Sequence, residues 1–177
     1  MEIKTLGPGD LGLFAEIDRT EVIKALYEVH DGELVSRDEL IAVSPWNPVG
    51  DGPHSVAAMQ DGLEPLIEGG AVFLGAFEGD DVAGLAMVDP DFEPPMAWLP
   101  LLHVSRPYRR AGVATALWEE SVRLALQAGA DSMYVSATPS DSAVGFYLSR
   151  GCTIAPSPHP DLFAMEPEDI HFNCSLG

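Results

Sequence analysis

The stretch YRRAGVATAL, Tyr108 to Leu117, carries the residue types that an anion site needs. The first turn of a helix has unpaired N–H groups and about half a positive charge. A phosphate reaches those groups only where side chains are minimal, as at Ala111, Gly112 and Ala114. Arg109 and Arg110 add charge and Thr115 a hydroxyl, in the manner of backbone cradles that bind pyrophosphate in unrelated folds. Alone, the pattern also describes a basic helix start. His103 has a side chain suited to proton transfer near neutrality, on an apolar stretch whose alternation leaves its facing open. Glu28, Asp31, Glu166 and His171 are weaker candidates for a base, and water-mediated deprotonation is the alternative. Cys152 and Cys174 have no recognisable activating neighbour or metal-ligand spacing and are too few for a disulfide framework; Cys152 reads as a core residue, and a reducing cytoplasm is the expected compartment.

These residues need elements to hold them. EIKTL reads as a first strand and GDLGLFAEIDR as a helix with Asp10 as cap. YEVHDGELVS is a hairpin turning at Asp31-Gly32, SPWNPVGDGPHS a binding loop or lid, and SVAAMQDGLEPLIEGG a helix. AVFLGAF and VAGLAMVD form a second hairpin, followed by the strand WLPLLHV. Val113, Leu117, Leu124 and Ala128 recur at helical spacing before Gly129. SMYVSA is a strand, Ser140 to Arg150 a helix stopped at Gly151, and LFAME and DIHFNCSL the last strands. Hairpins mixed with helices predict an α/β fold with a mixed sheet.

Bulk properties exclude several classes. The 177 residues suit one domain spanning 1–177. No apolar run is long enough for a membrane span, and the first ten residues lack the order of a secretory signal. The net charge of −19 is unevenly spread: −16 over residues 1–97, +1 over 98–150 and −4 over 151–177. A nucleic-acid binder needs a basic footprint that this chain lacks. Solvation is the plain account of the acid excess.

Two linked segments go further. LLHVSRPYRRAGVATALW, a helix, and then SMYVSATPSDSAVGFYLSRGC resemble the strand, pyrophosphate loop, helix, strand and tyrosine-bearing helix of the GCN5-related N-acetyltransferase superfamily. The resemblance covers about residues 70–152. It implies a mostly antiparallel mixed sheet flanked by helices, with two strands splayed around acetyl-coenzyme A. Leu102, His103 and Val104 would then run along the pantetheine arm, with Arg109 to Thr115, including Val113, at the pyrophosphate. Ser140 stands where the family often has Asn, which puts one contact with the arm in doubt although Ser also caps helices. Ala143 matches the family.

The implied reaction is direct acetyl transfer to an amine, without a metal or a covalent enzyme intermediate. Val104 N–H corresponds to the oxyanion donor and Tyr147 to the general acid, its phenol protonated at neutral pH. The expected acceptor is a small amine, because the hairpin and the Pro/Gly loop would wall off a small pocket, and a cationic one, because the charge is −16 before the cofactor segment and +1 within it. The alternatives are a protein or peptide acceptor and a non-catalytic acetyl-coenzyme A-binding module. Neither nucleic acid nor membrane is an expected partner, and the chain is expected to be a monomer or homodimer.

Overall fold

The computed structural model describes residues 1–50 and 52–177. Its main sheet has seven strands in the order β1 (Glu2–Leu6), β4 (Val72–Glu78), β5 (Asp81–Glu93), β6 (Met96–Val104), β7 (Ser132–Ala137), β9 (Ile170–Ser175) and β8 (Thr153–Ile154). Every neighbouring pair is antiparallel except β6–β7. The helices are α1 (Val56–Glu68), α2 (Val113–Ala128), α3 (Asp141–Ser149) and α4 (Pro160–Met165). Phe14, Leu63, Phe73, Leu85, Met87 and Leu101 form the core under α1, whereas Val113, Leu117, Leu74 and Ala86 pack under α2. No helix among the described residues is long and apolar enough to cross a membrane.

The hairpin β2 (Glu21–His30) and β3 (Glu33–Val43) forms a second sheet. Asp31 (φ 51°) and Gly32 (φ 81°) make the left-handed pair of a tight two-residue turn. The hairpin is tied to the main body where Tyr27 N–H donates to the Pro139 carbonyl at 2.9 Å and Lys24 N–H to the Asp141 carboxylate at 3.2 Å.

Four local expectations change. The first helix is a 3-10 helix, Pro8–Glu16, broken up by Gly9 and Gly12. Asp10 does not cap by position; its carboxylate reaches back to accept from Gly7 N–H at 2.8 Å. LFAME is not a strand but lies mostly within α4, where Pro160 occupies the first turn and His159 Nδ1 accepts from Leu162 N–H at 3.4 Å. The cysteines are not free: Cys152 and Cys174 are joined in a disulfide, because Thr153 pairs with Asn173 and sets the two side by side. The SPWNPVGDGPHS loop includes Asp51, which lies outside the described residues.

Candidate active site

The site begins with a strand that loses its neighbour. β6 pairs with β7 only from Met96 to Trp98, yet continues to Val104 while β7 continues to Ala137. Across β5, Met87 faces Leu101 and Asp89 faces Trp98, so β6 carries one extra residue around Pro100. Proline lacks an N–H, and such bulges bend a strand away from its partner. Ser105 N–H donates to the Ala83 carbonyl at 2.9 Å, which fixes the phase of the ladder. Leu102 and Val104 therefore occupy non-hydrogen-bonded positions, with their backbone groups turned from β5 toward the gap.

The gap is a cavity of about 360 Å³ lined by Leu102, His103, Val104, Ser140, Ala143 and Tyr147, among others. One end of it is the entry to α2. Arg110 (φ 66°) and Gly112 (φ 87°) are left-handed, and Ala116 N–H makes the first helical bond, to the Gly112 carbonyl, at 3.0 Å. No side chain caps the helix, which leaves the N–H groups of Val113, Ala114 and Thr115 without helical acceptors. A Cβ on Gly112 would meet nothing within 4 Å, so conformation rather than space calls for glycine there. Arg110, Gly112, Val113, Ala114 and Thr115 line the cavity; Ala111 does not. The alternating backbone suits a pyrophosphate.

Arg109 is spent differently from the expectation of a phosphate ligand. Its guanidinium donates to the Val104, Thr20 and Arg19 carbonyls, each at 3.2 Å, and lies 3.4 Å from Glu21. Glu21 also accepts from Ser142 Oγ at 2.5 Å. This carboxylate links the loop before α2 to α3, with Arg109, Glu21 and Ser142 all in the cavity wall.

Ser140 caps α3, its Oγ accepting from Ala143 N–H at 3.2 Å. Tyr147, about two turns further on, is 6% exposed and packs edge-on against Trp118 at 5.9 Å. Burial first, and then the charge of Asp169, raises its phenol above the ordinary range, so it stays protonated well beyond neutral pH. His103 lies on the opposite face of β6 from α2, edge-on to Trp46 at 5.3 Å. Enclosure, reinforced by Arg19 and Arg109, lowers its pKa to about 4. It is therefore neutral and weakly basic, although its edge borders the cavity. Arg19 stacks over Trp46 at 4.3 Å.

A second cavity, of about 750 Å³, opens between the β2–β3 turn and the C-terminal segment. Glu28, Asp31, Glu168 and Asp169 are in its wall, and no Lys or Arg is among its described lining residues. Glu28 is shared with His30 at 3.0 Å and Arg37 at 3.5 Å. His171 also lines it but is committed: Nε2–H donates to the Glu166 carbonyl at 3.0 Å, so Nδ1 accepts from Tyr134 O–H at 2.8 Å. The Glu166 carboxylate accepts from Ser136 Oγ. Asp169 is different. Burial, then Glu166 and Glu168, raise its pKa to about 7.

Arg19, Glu21, Trp46 and Asp169 were not singled out from the sequence. Each gains its place from distant chain segments, and no local motif marks it.

A search of curated protein sequences finds no match. Among solved structures, nourseothricin acetyltransferase superposes with a TM-score of 0.74 at 14% identity, covering 99% of this chain and 98% of that one. A protein assigned as a streptothricin acetyltransferase from Bacillus anthracis, solved with acetyl coenzyme A, gives 0.69 at 16% identity, covering 98% and 97%. The ribosomal-protein-S18-alanine N-acetyltransferase of Escherichia coli gives 0.62 at 16% identity, covering 99% and 94%. At such identities the likeness is one of fold. The sequence match is to the Acetyltransferase (GNAT) family model over residues 39–152, most of the chain. With the splayed strands and the anion cradle both inside or beside that span, this chain belongs to the GNAT acetyltransferase family and is an acyl-coenzyme A N-acyltransferase.

Proposed function

We propose that this enzyme transfers acetyl from acetyl-coenzyme A to the primary amine of a small cationic molecule. The observation that carries the acceptor class is the second cavity, whose charged wall residues are Glu28, Asp31, Glu168 and Asp169. An alkyl amine with a pKa near ~10.4 arrives protonated at pH 7, and these acids favour that form. The β2 strand bonded across Pro139 and Asp141 encloses the region and favours a compact acceptor over an extended peptide. Two of the similar structures carry names of acetyltransferases for small antibiotics, which agrees with this reading.

On the donor side, the backbone of Arg110 to Thr115 holds the pyrophosphate, and Leu102 to Val104 align the pantetheine arm. Val104 N–H, turned into the gap by the register of β6, donates to the oxygen on which negative charge develops. Tyr147 gives its proton to the departing sulfur. Burial keeps that proton in place at neutral pH, so the phenol is ready as an acid throughout the working range.

The test is an acceptor panel of polyamines, streptothricin, neutral amino alcohols, amino acids and peptides, followed by thiol release at low and high salt. Cationic acceptors should lead. Their efficiency should fall as salt rises, mainly through KM, since attraction between charges more than roughly 8–10 Å apart is largely screened at physiological ionic strength. A preference for neutral or anionic amines, insensitive to salt, would overturn the acceptor class.

A further inference from the structure

We infer that Arg19 selects the acceptor, binding a carboxylate that the acceptor carries in addition to its amine. Leu102 and Val104 pack with Val113 and Leu117 under α2, whereas His103 meets Trp46 of the core under α1. All three β6 residues line the one cavity, which therefore reaches from the α2 face of the sheet to the α1 face. The start of α2, with its free N–H groups, lies on the first face. Arg19 lies on the second, over the Trp46 ring at 4.3 Å, with Ile23 and Val43 of the hairpin also in the wall. A donor held at the start of α2 leaves this second face to the acceptor.

The charges of the cavity wall pair off and leave Arg19 over. Arg109 lies against Glu21, the only Asp or Glu among the described lining residues. Arg110 stands in the left-handed turn at the start of α2. The Arg19 side chain makes no hydrogen bond or ion pair among the described residues; only its carbonyl is used, by Arg109. Its neighbour Asp18 is committed to Thr20, accepting from the N–H at 2.9 Å and from Oγ1 at 2.6 Å. Burial lowers the guanidinium pKa and no carboxylate raises it again, yet an arginine keeps its charge. A half-buried cation without a partner is costly until a counter-charge arrives. In a chain of net charge −19 acids are plentiful, but none of the described ones is set against this guanidinium.

Arg19 is also held ready. Its guanidinium stacks on Trp46, and Arg109 fixes its backbone through the carbonyl at 3.2 Å, so little freedom remains to be lost on binding. The planar fork of a guanidinium matches the two oxygens of a carboxylate. His103 beside it is neutral near pH 7 and adds no competing charge. Ile23, 5% exposed, and Val43 offer apolar wall to the methylenes between the carboxylate and the amine. The acceptor class is an amino acid, with its carboxylate on Arg19 and its amine directed to the part of the same cavity that Tyr147 lines.

This inference rests on the acetyltransferase reading; a second amine on the acceptor, as in lysine, is compatible with it and not required. The test compares two pairs that differ only in a carboxylate: lysine with cadaverine, and ε-aminocaproate with pentylamine. Thiol release from saturating acetyl-coenzyme A should favour the carboxylate-bearing member of each pair by about 10–100-fold in kcat/KM, the worth of a charge-assisted contact. Arg19→Gln should bring both ratios close to one by slowing the carboxylate-bearing acceptors, and Arg19→Lys should restore part of the preference. Arg19→Glu should reverse it. Damage to the fold would slow all four acceptors alike, so the ratio separates recognition from misfolding. Calorimetric titration of the coenzyme A complex with the same four compounds reads the preference without turnover. Faster reaction of the single-amine pair, with both ratios intact, would overturn the cationic acceptor and leave Arg19 in its role. Ratios near one in the wild type by kinetics and calorimetry would overturn the inference. So would an Arg19→Gln variant that keeps the ratios and raises only KM for acetyl-coenzyme A, which would assign the guanidinium to the donor.

Discussion

Tyr147 and His103 both line the cavity between β6 and β7, and their surroundings push them in different directions. Tyr147→Phe keeps the ring packed against Trp118 and removes only the hydroxyl. Turnover should drop about 10²–10⁴-fold with KM for acetyl-coenzyme A nearly unchanged, read by steady-state kinetics with the best acceptor. His103 is neutral in the fold down to about pH 4, below its ordinary value of 6.5. The unfolded chain therefore binds the extra proton first as pH falls, and stability is lost between about 6.5 and 4. The shift corresponds to at most about 3 kcal/mol. His103→Gln should flatten that part of the stability-against-pH curve in urea titrations.

Between elements, the tightest approach near the site is at Gly84. A Cβ there would lie 2.9 Å from the His103 carbonyl, 2.9 Å from Val113 Cγ1 and 3.1 Å from Leu117 Cδ1. Gly84→Ala should push β6 and the start of α2 apart, costing about 1–3 kcal/mol and weakening coenzyme A binding in calorimetry. Gly112→Glu tests the proposed phosphate cradle from the other side: it puts a side chain at φ 87° and a negative charge at the start of α2. Coenzyme A affinity should collapse while circular dichroism is preserved. The loop and the start of α2 were legible in YRRAGVATAL because the signals are local: small residues, a glycine and a helix start. The Asp31-Gly32 turn was legible for the same reason. α4 was missed because LFAME is as apolar as a short strand, and the decisive signal, Pro160 after the capping His159, lies just ahead of it. Asp169 was invisible as a special residue, one acid among four in the last 27. Its surroundings come from α3 and the hairpin, which only the folded chain brings near.

At the scale of the molecule, two features act together: an acid excess of −19 and a cross-strand disulfide. The positive charge gathers where phosphates would lie, while the hairpin and the C-terminal segment present acids to the second cavity. The Cys152–Cys174 link closes a sequence separation of 22 residues, which in the chain-entropy account stabilises by about 3 kcal/mol. For a domain of this size that corresponds to roughly 10 °C. Protein unfolded and refolded in reductant should melt lower by about that amount in a thermal scan, and Cys174→Ser should match the reduced wild type.

The same bond makes residues 152–174 a covalent ring, and α4 and Asp169 ride on it. A protease that nicks the exposed stretch around Pro156–Ser157 opens the chain without severing the molecule. On a denaturing gel the nicked protein should run as one band until reductant is added, and only then release its C-terminal piece. The ring thus also acts as a tether, so a backbone break beside the acidic cavity need not cost the enzyme its last strand.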